Sequence, residues 1–384
     1  MKLKLIHICN DEKFIDAAIN QFATFETVES LFFIVAKNRS VSLVKKINSN
    51  VIIFGTIQEA VQKANASDAH AVVLHSIFFR ISDLSKLKTP IILCCWGKET
   101  YYDINDNEKK IILLDLYKPK TRTLLQTAKS NRPLIEKIKS FIKKFGIYQL
   151  RNRQYKHFFQ KLIAISTVLP EEFALIGHPE KMRFPLRYMS LKPQRRTIQT
   201  RNRAEGTTPR ILVGNSLNAT NNHADILEKL NSLGKKIEVV LPISYGGKEP
   251  YKKALKEFVS HLENIIPIYL DSFMERIEYQ KILDSCDAAI FGHIRQQAVG
   301  NISYMISYGY KVFLYKESVC YQHFKNLGCT IFTIDDDLEK EFDHLTLDKT
   351  SAQKNNDLWF NDKDPQKYIQ SMHIFFENLE KAIR

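Results

Sequence analysis

The segment YQKILDSCDAAIFGHIRQQAVGNISYMISYGYKVFLY, Tyr279 to Tyr315, constrains the fold of this chain more than any other. It holds two short apolar runs, 288–292 and 311–315, separated by the polar loop His293–Gln297 and a stretch with helical spacing at Val299, Ile302, Met305 and Ile306. Apolar runs of that length are the pattern of strands buried on both faces, as in a parallel sheet. The polar loop then opens a helix at the C-terminal edge of a strand, where free amide N–H groups and the helix dipole favour an anion. Arg295 adds a fork of donors suited to phosphate, Gln296 and Gln297 add amides, and Gly300 permits close approach. On its own the segment is equally an ordinary βαβ unit with a solvated arginine.

The same alternation recurs along the chain. Leu3–Cys9, Leu31–Ala36, Val51–Phe54, Ala71–His75 and Pro90–Trp96 read as strands, with helical spacing over 11–25 and 56–66. This is the signature of a doubly wound α/β domain. Residues 190–209 have few apolar side chains and read as a linker. A second series follows, with strands at 210–213, 237–241, 266–270 and 330–334. The sequence therefore predicts an α/β protein with an N-terminal domain over 1–189, a linker, a C-terminal domain over 210–363 and a terminal helix over 364–384. At 384 residues two cores are expected, because single cores rarely outgrow about 250–300 residues.

Charge narrows the partners. The net charge is +14, and between Lys118 and Lys161 thirteen Lys and Arg face Glu136 alone. Within that window Leu134, Ile138, Phe141 and Phe145 fall on one helical face, flanked by Lys137, Lys139, Lys143 and Lys144. A basic amphipathic helix of this kind suits an anionic membrane surface. A helix packed on its own sheet with a solvated lysine face is the plain alternative. Nucleic acid ranks lower, because no nucleic-acid motif accompanies the charge. No apolar run reaches the ~18 residues of a membrane span, and MKLKLIHICNDEKF is too short in apolar residues for a signal peptide. The expected location is cytoplasmic, peripheral on the inner membrane. The six cysteines lie mostly in apolar stretches without CxxC spacing and read as reduced thiols.

A second strand–turn–helix stands at ILVGNSLNATNNHADILEKL. Gly214 permits a tight turn, and Asn215 and Ser216 offer donors to a phosphate. Capping turns with Asn and Ser are common, so the pair of turns makes the case rather than either alone. Tyr245, after another strand, is placed to stack on a base or contact phosphate; a core or rim tyrosine is nearly as well supported.

The motifs VGNS (213–216), VVLP..Y (239–245) and RQQ..G (295–300), with IHICND near the start and Trp96-Gly97, resemble one family. It is the TDP-N-acetylfucosamine:lipid II N-acetylfucosaminyltransferase family, glycosyltransferase family 56. Where that family reads Trp-Gly-Ala-Asp, this chain has Trp96-Gly97-Lys98-Glu99. The resemblance implies a GT-B fold, two Rossmann-like domains with parallel sheets facing a cleft and the nucleotide-sugar held mainly by the C-terminal one. It also implies transfer to a polyprenyl-diphosphate-linked acceptor at the inner face of the cytoplasmic membrane.

Such a transfer needs a stabilised diphosphate and an activated acceptor hydroxyl. No cofactor and no metal are expected, since Asp335-Asp336-Asp337 follows the last strand as an acidic turn, and helix N-termini with Arg295 take the electrostatic role. Candidates for the general base are Glu99, His75, Asp11 and His7, all near predicted strand C-termini. The competing readings are a nucleotide-sugar epimerase of the same architecture and a basic polymer-binding protein.

Overall fold

In the computed structural model the described residues are 2–97, 99–103, 116–130, 157–176, 178–198 and 206–383. They fall into two units, one of Met1–Lys109, Ile138–Pro193 and Lys363–Arg384, the other of Lys110–Lys137 and Gln194–Asp362.

The first unit is built on strands β1 (Leu3–Asn10), β2 (Val28–Val35), β3 (Val51–Phe54), β4 (Ala71–His75), β5 (Ile91–Cys94), β6 (Leu162–Ser166) and β7 (Met182–Arg183). They form one parallel sheet in the order β3-β2-β1-β4-β5-β6-β7. The central strands β4 and β5 are buried along their whole length, as their unbroken apolar runs require. Helix α1 (Ile15–Phe22) follows β1. Helix α2 (Ile57–Asn65) starts where Thr56 accepts a hydrogen bond from the Glu59 N–H, and it buries Ile57, Ala60, Val61 and Ala64 along one stripe.

The second unit begins with helix α3 (Pro119–Ser130). Strands β8 (Arg210–Val213), β9 (Ile237–Pro242), β10 (Ile265–Leu270), β11 (Ala288–Phe291), β12 (Lys311–Leu314) and β13 (Phe332–Thr333) follow. Helices α4 (His223–Asn231), α5 (Glu249–Ser260), α6 (Arg276–Ser285), α7 (Val299–Ser307) and α8 (Val319–Asn326) alternate with them, and α9 (Lys349–Asp362) comes last. The sheet order β10-β9-β8-β11-β12-β13 is the doubly wound one, with its reversal between β8 and β11.

Two helices bear on the expected boundaries. Helix α10 (Pro365–Ile383), the expected terminal helix, belongs to the first unit: Tyr368, Met372, Phe375, Phe376 and Leu379 are in the core of the first sheet. Phe376 meets Phe22 and Phe25 at 6.1 and 5.2 Å, and the Tyr368 hydroxyl donates to Gln21 Oε1 at 2.8 Å. Conversely, α3 lies in the second unit rather than in a domain over 1–189. Leu124 and Leu125 pack on its core, and the Asp225 carboxylate accepts from the Lys120 and Thr121 N–H groups at 2.8 and 2.9 Å.

The linker expectation is also narrowed. Arg196 stands 4.4 Å from the Trp359 ring and about 5 Å from Tyr304 and Tyr308, while its carbonyl accepts from Asn356 Nδ2 at 2.7 Å. Residues 194–198 are thus part of the second unit, and 199–205 lie outside the described residues.

Candidate functional site

In the second unit the loops at the sheet reversal are joined by side-chain amides. Gly214 leaves β8 at φ 72°, a left-handed conformation that glycine tolerates, and its N–H donates to the Ile290 carbonyl of β11 at 2.9 Å. The turn through Asn215 and Ser216 then leads into a short 3₁₀ segment, Ala219–Asn221, before α4. Gln297, on the loop after β11, reaches into this turn. Its Oε1 accepts from the Thr220 hydroxyl at 2.7 Å, and its Nε2 donates to Asn215 Oδ1 at 2.8 Å and to Ser216 Oγ at 3.4 Å. Asn215 Nδ2 in turn faces the Tyr245 hydroxyl at 3.4 Å, and the Leu217 N–H donates to the Tyr245 carbonyl at 2.7 Å. Gly246 and Gly247 are required beside it, because a Cβ on Gly247 would come within 2.6 Å of the Leu217 carbonyl. The two predicted turns and the Tyr245 loop are therefore one assembly.

The two helix N-termini differ. The start of α4 is covered: Asn222 Oδ1 accepts from the Lys118 N–H at 2.8 Å, its Nδ2 donates to the Gly292 carbonyl at 2.6 Å, and Asp225 holds 120–121. The N-terminus of α4 is thus met, at Asn222 and Asp225, by the chain's own segment at the start of α3. The start of α7 is open. Ala298 precedes it with φ 56° and no side chain caps the first turn. Gly300 is exposed there, and a Cβ added to it would meet nothing within 4 Å. Gln296 is largely buried, and the Arg295 guanidinium folds back so that Nη1 donates to the Gln296 carbonyl at 3.2 Å.

In the first unit the four proposed bases are brought to the C-terminal side of the sheet, each with a partner. His7 and His75 are fully buried, with His7 Nδ1 and His75 Nε2 2.9 Å apart. His75 Nδ1 meets the Tyr188 hydroxyl at 2.6 Å, and His7 Nε2 meets Ser30 Oγ at 3.3 Å. Glu99, buried in the turn after β5, accepts from the Ser76 hydroxyl, from the Ile77 N–H at 3.2 Å and from the Trp96 N–H at 2.9 Å. It ties the loops after β4 and β5 together. Asp11 accepts from the N–H groups of Ser42, Leu43 and Val44 at 2.6–2.9 Å. Burial alone would raise its pKa, but the backbone donors outweigh it and hold the carboxyl below the usual range. Every one of these groups has its lone pairs or ring nitrogens engaged within its own unit.

The buried histidines give a pH prediction. Burial lowers His75 to about 3 and His223 to about 4; burial, then the Arg295 charge, lowers His293 to about 3. Each is neutral when folded and near 6.5 when unfolded. Their stability contribution is full above about pH 6.5 and is lost as pH falls from there toward the folded values. Each histidine contributes a slope of roughly 1.4 kcal/mol per pH unit. Urea unfolding at pH 7.5 and 5.5 is expected to show a markedly lower midpoint at 5.5. An unchanged midpoint would contradict neutral burial.

The membrane residues Lys137, Lys139, Phe141, Lys143, Lys144 and Phe145 lie outside the described residues. Among the described residues no helix is long and apolar enough to cross a membrane, and no group of three or more His, Cys, Asp or Glu is placed to hold a metal ion. Asp337 accepts from the Thr333 N–H and hydroxyl at 2.7 and 2.8 Å, which ties the acidic run to its own turn. Sequence reasoning misses Thr220, Asn221 and Asn222. The polar run NATNNH, buried where a helix start is normally half exposed, is the signal that points to them.

A family model described as 4-alpha-L-fucosyltransferase glycosyl transferase group 56 matches residues 170–371, more than half of the chain. No curated protein matches it by sequence. Among solved structures, the lipopolysaccharide outer core galactosyltransferase WaaB in its apo form is similar at TM-score 0.57 and 8% identity, covering 97% of this chain and 99% of that one. A glycosyltransferase from Rickettsia africae ESF-5 gives TM-score 0.58 and 11% identity, with 99% of both chains covered. An O-GlcNAc transferase from Thermobaculum terrenum gives 0.56 and 10%, covering 100% of this chain and 68% of that one. At these identities the likeness concerns the fold, which is GT-B: two Rossmann-like parallel-sheet domains.

Proposed function

The chain belongs to glycosyl transferase group 56, the 4-alpha-L-fucosyltransferase family, and from that premise we propose that it moves an acetamido-deoxyhexose from a TDP- or UDP-sugar to a polyprenyl-diphosphate-linked saccharide. That it is a glycosyltransferase follows from the family; the donor and acceptor are our reading. The observation that carries the donor half is the Gln297 bridge, which sets Asn215, Ser216 and Tyr245 beside the open first turn of α7. Uncapped N–H groups at a helix start, with neutral amides and hydroxyls around them, suit a diphosphate. In this reading the diphosphate leaves against the α7 N-terminus and the loop of Arg295, so the charge that develops is met by fixed dipoles without a metal. Gln296 and Gln297 orient the sugar or diphosphate through their amides, and Gly300 keeps the space beside the first turn clear.

On the acceptor side, Asp11, Glu99, His7 and His75 hold the loops at the C-terminal edge of the first sheet in place. The basic window over 118–161 supports a peripheral position on the cytoplasmic face of the inner membrane. The epimerase and polymer-binding readings give way to the family match.

A thermal-shift panel of TDP, UDP, GDP, CDP and NAD tests the donor assignment. Ligand that binds only the folded state raises apparent stability by mass action. A shift with TDP or UDP alone is the expected result. No shift with either would remove the donor reading.

A further inference from the structure

The second unit exposes large apolar side chains beside the donor turns. Phe273 is 85% exposed and Ile277 69%, and Tyr245 stands 59% exposed on the neighbouring loop. Single exposed hydrophobes need no explanation, but the sheet sets the segments that carry these three side by side. Strands β9 and β10 are paired so that Pro242 and Leu270 lie opposite each other at their C-terminal ends. The Ile243 N–H still donates to the Leu270 carbonyl at 3.0 Å. The two loops therefore leave the sheet side by side, one carrying Tyr245 three residues on, the other Phe273 three residues on. Ile277 sits in the first turn of α6, two residues before Tyr279. Burial, then the nearby Tyr245, raises the pKa of the Tyr279 hydroxyl. Tyr279 accepts from Asn301 Nδ2 at 2.9 Å, and Asn301 lies in the uncapped first turn of α7.

We propose that Tyr245, Phe273 and Ile277 form the clamp that receives the nucleobase of the donor nucleotide. The inference rests on the donor site proposed above and names the part of the ligand that this patch takes. A nucleoside diphosphate has one flat apolar end and one anionic end. The patch offers an aromatic and aliphatic surface, and the Tyr279–Asn301 contact joins it directly to the helix start where the anion is placed. Stacking on an aromatic ring is tolerant of base identity and repays the exposure of these side chains when the ligand is absent. The free protein tolerates changes here, because Phe273 and Ile277 contribute little to its core.

The test is the affinity of the full chain for TDP, UDP and inorganic diphosphate, measured by calorimetry for the wild type and for Phe273→Ala/Ile277→Ala. The double variant is expected to melt at the wild-type temperature without ligand. Its Kd for both nucleotides should rise roughly 5- to 100-fold, as for the loss of a stacked base, while its Kd for inorganic diphosphate stays the same. Unchanged nucleotide affinity overturns the clamp and leaves the donor site standing. An equal loss for inorganic diphosphate also overturns it, since the patch would then act on the anion. Retained nucleotide affinity with lost binding to phosphatidylglycerol vesicles would assign the patch to a membrane instead. A wild type that binds neither nucleotide removes the donor reading itself, and the clamp with it.

Discussion

Gln297→Glu is expected to reduce sugar transfer by roughly 100-fold or more, on the scale of losing a preorganised donor at a charged centre. The change is nearly isosteric. It replaces the Nε2 donor, which now faces Asn215 Oδ1 at 2.8 Å and Ser216 Oγ at 3.4 Å, with a second acceptor oxygen. Two acceptors then oppose each other in a buried place, and a negative charge stands where the diphosphate is proposed to lie. The fold should survive, at a cost of about 1–3 kcal/mol for the unsatisfied pair. Gln297→Ala separates the two effects, since it removes the bridge without adding charge and should fall between the wild type and Gln297→Glu in nucleotide affinity. The decisive measurement is the TDP and UDP Kd of the folded Glu variant. If it matches the wild type, the loops after β8 and β11 do not hold the donor.

Gly214→Ala is expected to have the largest effect on stability. Its φ of 72° is costly for any residue with a side chain, and the added Cβ would lie 2.8 Å from His223 Nε2 and 3.1 Å from the Asn221 side chain. Both neighbours are fully buried and lack room to retreat. A left-handed conformation costs roughly 1–2 kcal/mol, and overpacking of this kind about 1–3 kcal/mol more. A loss on the order of 2–5 kcal/mol in the urea unfolding of the second unit is therefore anticipated from the two costs together, with nucleotide stabilisation reduced in parallel. An unaltered unfolding curve would show that the turn rearranges freely and that the Gln297 bridge does not depend on its shape.

Elements with a strong apolar period are legible in the amino-acid sequence alone. Strands β4, β8 and β11 and helices α7 and α10 lie within a residue or two of where the sequence puts them, because each buries an unbroken run or a full stripe. What sequence does not carry is which core a stripe completes. The apolar face of α10 is equally compatible with either sheet, and only packing against Phe22, Phe25 and Phe184 assigns it. Helix α9 escapes sequence reasoning for the opposite reason: KTSAQKNNDLWFND has almost no stripe, and it is held through Asn355 and Asn356, whose amides bond to the Thr330 and Ser307 carbonyls. The site shows the same division. Gly214, Asn215, Ser216 and Gln297 are visible as turn residues, yet the hydrogen bonds that join them run between positions about eighty apart. His75 and Glu99 have the chemistry of proton acceptors, but their hydrogen bonds to Tyr188 and to the Trp96 N–H are not legible in the sequence.

The return of α10 to the first sheet bears on how the molecule is made. A ribosome delivers β1 through β7 long before residues 365–383, so Phe22, Phe25 and Phe184 emerge without the helix that covers them. Contacts of such long sequence separation close late and slowly, and the nascent chain carries an apolar face through the synthesis of the whole second unit. The first unit thus closes only after the second has been synthesised, and its apolar face is exposed to aggregation until then.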